Sequence, residues 1–185
     1  MLGSGLLDDV PLDDLARLFD RIGLVDAVHP WPARLAARRY PNVALVTAEI
    51  SAGLAGASAD LCTGADLIVS ANLLSQLPTV SIKAHEARGR AAPPLLGAHL
   101  VETHLRVLDT LAGRVERVCL ITDAVQRAED RSGRFTDSLD MLFGSELPPA
   151  EAAWDWEIGP FGASGRRLCL IHRVQACPDW KTVPR

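Results

Sequence analysis

The chain has no long run of lysine and arginine, no cysteine pair at C-x-x-C spacing, and no apolar run near the ~18–20 residues that a bilayer crossing needs. Each absence excludes something. The formal net charge is −4 and the pI about 5.7. The nearest approach to a basic run is the mixed stretch 34–39, so binding of nucleic acid through phosphate neutralisation is disfavoured. The four cysteines, Cys62, Cys119, Cys169 and Cys177, have no histidine or cysteine neighbour at zinc-finger spacing, and no metal site is expected. Cys119 and Cys169 lie within the apolar runs VCLIT and LCLIH, where a cysteine serves as a small core residue. Free buried thiols suit a reducing cytoplasm. The start lacks the basic-then-apolar order of a signal peptide. The expectation is a cytoplasmic protein with no membrane partner.

What is present is a core. The chain has 185 residues, 48% of them apolar, and a mean hydropathy of +0.12. That composition argues against disorder and suits one domain over residues 1–185. PLDDLARLFDRIG has Leu12, Leu15, Phe19 and Ile22 at helical spacing, with Pro11 and two aspartates at its start and Gly23 at its end. LVDAV is a short apolar run ending near Asp26. A basic helix is expected from about Ala33 to Arg39, stopped by Pro41 and Asn42. VALVTAEI reads as a strand ending near Glu49. SAGLAGASADLCTGA suits a loop with a short helix. Leu67 to Ser70 reads as a buried strand, followed by a turn or short helix, and the stretch from about Ser81 to Pro94 as an exposed connection. GAHLVETHLRVLDTLAG is a second clear helix and RVCLITDAV another strand. Residues from Gln126 to Pro149 look polar and turn-rich. AAWDWEI and RRLCLIHRVQAC read as two strands joined by the glycine-rich GPFGASG. Strands alternating with helices predict an α/β fold with a doubly wound, mostly parallel sheet and an antiparallel C-terminal edge.

Ligands of open α/β sheets bind beyond the carboxyl ends of the strands. The residues there are Gly3, Ser4 and Gly5; Asp26 and His29; Glu49; Ser70, Asn72 and Gln76; and Asp123. Asp26 follows the glycines by about 20 residues, the distance at which an acid accepts hydrogen bonds from a ribose. The dinucleotide fingerprint wants a third glycine, but Leu6, Leu7, Asp8 and Asp9 stand there. Two carboxylates repel a pyrophosphate. They tolerate S-adenosyl-L-methionine, which has no phosphate and whose sulfonium and ammonium are cationic.

LGSG, LVDAV, VALVTAEI and ADLIVSANLLSQLP, in this order and spacing, resemble the class I S-adenosylmethionine-dependent methyltransferases, a Rossmann-like superfamily. The likeness covers residues 2–125 well and the remainder loosely, and no subfamily is identified. It implies methyl transfer to an unidentified small-molecule or protein acceptor. It also implies Gly3, Ser4, Gly5, Asp26, Glu49, Ser70 and Asn72 as cofactor residues, with His29 and Gln76 lining the substrate; no catalytic residue is assigned. A small-molecule substrate is expected as partner, with a protein partner or a second copy as the other option. The sequence departs from the family in two ways. Only Met1 and Leu2 precede the glycine loop, so the first strand is missing or truncated. The true start lies upstream, another chain supplies the strand, or the fold has rearranged and lost cofactor binding; the first is preferred. Nor does a catalytic motif of any subfamily stand out. Two further functions are therefore carried: a non-catalytic methyltransferase-like binding or partner module, and an NAD-dependent oxidoreductase.

Other residues carry plainer readings. Asp26 could only cap the following helix, and Asp8 and Asp9 only complement a helix dipole. Trp154 and Trp156 alternate along a strand and are expected to face the core or a neighbouring helix, with a substrate lid as the alternative. Arg34, Arg38 and Arg39 suit a solvated helix face. His85, His99 and His104 are candidates for substrate contact but read better as surface histidines, and His172 as structural.

Overall fold

The computed structural model describes residues 1–50, 62, 64–162 and 167–180. The glycine- and alanine-rich segment expected as a loop with a short helix lies largely outside the described residues, as does the centre of the GPFGASG turn. The chain is α/β, with four helices among the described residues and a mixed open sheet.

Helix α1 spans Leu12–Leu18, with Asp13 and Asp14 in its first turn and Arg17 in its last, as the dipole favours. It ends sooner than the periodicity predicts, because Phe19 turns extended. The reason is tertiary: the amide of Asn42 donates to the carbonyls of Ala16 and Phe19 at 2.9 and 2.8 Å. Those bonds satisfy carbonyls left free at the helix end. The released chain becomes β1, Ile22–Asp26, which pairs parallel with β2, Val43–Thr47, through α2, Trp31–Ala37. Arg34, Arg38 and Arg39 are exposed on and just beyond α2.

Met1 to Gly3 runs between two of the strands. Leu2 pairs parallel with Val25 on one side and Ser70 on the other. Its N–H donates to the Val69 carbonyl at 2.7 Å, and the Gly3 N–H donates to the Val25 carbonyl at 2.9 Å. Leu2 therefore joins β1 to β3, Leu67–Ala71. From there the order continues through β4 (Arg117–Glu129), β7 (Cys169–Cys177) and β6 (Ala152–Gly159). Strand β5, Phe135–Asp140, lies along the far end of β4.

The expected mostly parallel sheet needs correction. β1·β2 and β3·β4 are parallel, but β4·β5, β4·β7 and β6·β7 are antiparallel, so the sheet is mixed. Two elements escaped the pattern. All six residues of β5 are exposed, which leaves no alternation to read. Its hairpin is fixed instead by Asp130, whose carboxylate accepts the backbone N–H of Ser132 and of Arg134 at 2.9 and 3.1 Å. Helix α3, Leu73–Glu86, runs into the stretch expected as an exposed connection. Its buried residues stop at Pro78, so the second half carries no apolar stripe.

Helix α4, Leu96–Ala112, packs with α3 over one face of β3 and β4. Leu74, Val101, Leu108 and Val118 are sealed there, in the cluster that also holds Leu2 and Val25. The neighbouring Leu24 belongs to a second cluster with Leu12 of α1. Successive strand residues point to opposite faces, so helices flank both faces of the sheet at β1.

Candidate functional site

The chain leaves Leu2 through a turn that only glycine suits at its first position. Gly3 has φ +75°, and a Cβ there would sit 3.0 Å from the Ala71 carbonyl oxygen. The loop must pass this close to the turn between β3 and α3. Gly5 has φ +51° and open space around it, so its need is conformational alone. Its N–H donates to Asp26 Oδ2 at 2.8 Å, and the Val28 N–H reaches Asp26 Oδ1 at 3.4 Å. The glycine loop and the acid at the end of β1 are thus locked together by the Gly5 N–H, where the spacing predicts a ribose as the partner of Asp26.

Across the same strand ends stands Asn72, in the left-handed region at φ +54°. Its amide donates to Asp9 Oδ2 at 2.9 Å, which gives Asp9 a role beyond the helix dipole. Ser75, one turn into α3, donates to the Asn72 carbonyl at 3.2 Å and to Asp123 Oδ2 at 3.4 Å. Asp123 ends the apolar run of β4, and His172 Nδ1 lies 3.0 Å from its Oδ2, outside hydrogen-bonding angles. His172 Nε2 faces Gln126 Oε1 at 3.2 Å. Four buried polar atoms, Ser4 Oγ, Asn72 Oδ1, Asp123 Oδ1 and His172 Nδ1, have no hydrogen-bond partner among the described residues. Buried polar atoms are normally satisfied; His29 Nδ1, His104 Nδ1 and Arg127 Nε are likewise without a partner among the described residues.

Not every predicted site residue joins the group. Ser70 is fully buried and its hydroxyl meets His104 Nε2 at 2.8 Å beneath α4, away from the strand ends. His104 is therefore a core residue, not a surface histidine; burial pushes its pKa down to about 4. His29 Nε2 donates to the Val46 carbonyl at 3.0 Å, which ties the ring to β2. Glu49 and Gln76 are exposed, beyond β2 and on α3. The structure brings Asp123, already placed at a strand end by the sequence, together with His172, which it adds. The sequence signal for Asp123 was the single acid closing RVCLIT; His172 had none, since its place beside Gln126 follows from a register shift between Asp123 and Val125.

The large cavity of the molecule lies elsewhere. About 840 Å³ opens below Leu2, between β1 and β3, and extends over Cys119 and Ile121 to Trp154 and Trp156. Of the predicted cofactor residues only Asn72 borders it. The two tryptophans are 42% and 41% exposed and line this space, contrary to the expected core position. Among the described residues no cluster of His, Cys, Asp or Glu could hold a metal ion, and no helix is long and apolar enough to cross a membrane. The chain matches no protein-family model, and comparison with curated proteins and with solved structures finds no match.

Proposed function

We propose that the chain is a Rossmann-like, doubly wound domain that binds S-adenosyl-L-methionine and transfers its methyl group to a small-molecule or protein acceptor. The observation that carries the reading is the Gly5–Asp26 bond beside the segment where the strand order reverses. From Leu2 the chain passes to β1 and β2 on one side, then returns to β3 and β4 on the other. Such a reversal leaves a crevice at the carboxyl ends of the strands, where α/β proteins bind ligands.

The residues there fit the cofactor. Asp26 Oδ1 has only a long 3.4 Å contact, and a carboxylate oxygen accepts more than one hydrogen bond, so a ribose diol can be held at Asp26. Ser4, Asn72 and Asp123 offer polar atoms in need of partners. Asp9 and Asp123 oppose a pyrophosphate and suit an ammonium or sulfonium, which ranks the NAD reading last. When bound, the cofactor supplies an electrophilic methyl group. The chain's own task is alignment, which methyl transfer needs above all. Gly3 and Gly5 shape the loop, Asp26 fixes it, and Asn72 ties it to β3 through Asp9.

A second reading, a non-catalytic module that binds a partner, is favoured by the cavity below Leu2, which borders Asp9 and Asn72 but not Gly5 or Asp26. Calorimetric titration with S-adenosylhomocysteine separates the two, with NADH as control. Micromolar binding of the first alone supports the enzyme. Asp26→Ala is expected to weaken that binding more than about tenfold, the scale of a lost charged hydrogen bond, with an unchanged circular dichroism spectrum. Unchanged affinity removes Asp26 from the site.

A further inference from the structure

Helix α2 is amphipathic the wrong way round. It packs on β2 through alanines, of which Ala33 and Ala37 are buried. Its large apolar side chains point to solvent instead. Trp31 is 71% exposed and Leu35 49%, and Val28, in the turn just before the helix, is 69% exposed. A surface helix normally turns such residues inward and its polar ones outward. Trp31, Leu35 and Arg38 follow one another at i, i+4 and i+7, so they form one stripe along the outer face. At 100° per residue Arg34 and Arg39 fall on either side of that stripe, and both are exposed. The charge is as one-sided as the hydropathy. The chain has 23 acidic residues, yet residues 27–48 contain none. Arg17, Arg106, Arg127, Arg134 and Arg173 each meet a carboxylate. Arg34, Arg38 and Arg39 meet none among the described residues. Arg38 and Arg39 also complement the dipole at the helix end, but a dipole does not turn a tryptophan and a leucine outward.

We propose that the outer face of α2 docks an acidic amphipathic helix of a second, different protein. An apolar stripe of that helix lies along Trp31 and Leu35, and carboxylates on both sides of it face Arg34, Arg38 and Arg39. Tryptophan and arginine are the side chains most enriched among those that carry binding energy, and carboxylates give arginine its strongest hydrogen bonds. Charge also selects among occupants. The formal net charge is −4 with these arginines included, so the rest of the chain is repelled by an anionic bilayer or a nucleic acid. A single helix small enough to lie along α2 avoids that repulsion. A two-fold contact of α2 with a second copy would set arginine against arginine. The inference does not rest on the cofactor reading, since none of these side chains belongs to the set assigned to the cofactor.

The test titrates the purified chain, by calorimetry, with a peptide of glutamate and leucine. It is about 15 residues long, enough for an isolated helix, with leucines at i, i+3, i+4 and i+7 and glutamates elsewhere. Saturable binding is expected, weakened at least about tenfold by Trp31→Ala, as for a residue at the centre of a contact. The double variant Arg34→Glu, Arg38→Glu should abolish it. All three positions are exposed, so the circular dichroism spectrum and Tm of these variants should match those of the unmodified chain. Equal binding of a scrambled peptide of the same composition would mean charge attraction alone and overturn the proposal. So would unchanged binding by Trp31→Ala, or no binding at millimolar peptide. Vesicles of phosphatidylserine and a single-stranded oligothymidine are titrated in parallel. If either binds and the arginine variant loses that binding while the peptide does not bind, the surface belongs to a lipid or a nucleic acid and the proposal falls. The variants keep Gly5, Asp26 and Asn72, so titration with S-adenosylhomocysteine tests the cofactor reading separately.

Discussion

The two faces of β3 and β4 are built from alternate residues of the same two strands, yet they end differently. On one, Val118 and Leu120 are sealed beneath α3 and α4, with Leu74, Val101 and Leu108 at zero exposure. On the other, Leu67, Val69, Cys119 and Ile121 border an open cavity with Trp154 and Trp156 at its edge. The strand sequences LIVSA and VCLIT are as apolar on the open face as on the closed one. Strands with near-continuous apolar runs are normally covered on both faces. Among the described residues the open face therefore has the composition of an interior without the cover, and a substitution should cost far less there than on the sealed face.

The largest effect expected is for Leu108→Ala. The residue is fully buried between α4 and the sheet, and its truncation should lower stability by about 2–5 kcal/mol, the cost of lost burial plus a cavity. Val69→Ala, on the same sheet but facing the cavity, should cost less than about 1 kcal/mol. Urea denaturation of both variants measures the difference. Similar losses would mean that the two faces are equally covered in solution.

The sealed face also holds a pH-sensitive contact. His104 has a folded-state pKa of about 4, against 6.5 for the free group, because burial disfavours its charged form. Between those values the unfolded chain binds the extra proton, so stability is full above about pH 6.5 and falls as the pH drops toward 4. The shift corresponds to a loss on the order of 3 kcal/mol. His104→Gln keeps a side chain able to bond Ser70 but does not titrate, so its stability should change less across this window. Equal slopes for the two proteins, from urea melts at pH 7, 5.5 and 4.5, would show that His104 is not sealed.

The same contrast explains what could be read in advance. Helix α4 and strands β1 to β4 were legible because each carries an apolar run or stripe that is local in sequence. The spacing of the glycines and Asp26 suggested that both face one ligand, but not that the Gly5 N–H would itself donate to the Asp26 carboxylate. The pairing of Ser70 with His104 was not. In the run LIVS every position is compatible with burial, so nothing local says that the serine faces α4 and not the cleft. The early end of α1 was hidden for a similar reason, since Asn42, which caps it, arrives from beyond α2. Strand β5 gave no signal because its pairing is by main chain, with every side chain in solvent. That Leu2 alone would bridge β1 and β3 had no signal, since a single residue carries no pattern.

The smallest effect tests the rim of the open face. Trp156 stands beside His172 across the β6·β7 pair and is 41% exposed. A tryptophan held by packing would cost several kcal/mol to remove, whereas one at a solvent-filled rim loses only the area it shares with the strand. Trp156→Ala should therefore change stability by no more than about 1 kcal/mol. The emission maximum of the unmodified chain should be correspondingly red, and acrylamide should quench a large part of it. Trp180 is buried and donates to Asp109 at 2.7 Å, so it supplies the shielded component against which the rim is judged. If Trp156→Ala proves as costly as Leu108→Ala, then something already covers the rim in solution, and the open face is the site of an interaction that the isolated chain makes with its own copies. Sedimentation of the unmodified chain against the variant would then show whether a dimer is lost with the tryptophan.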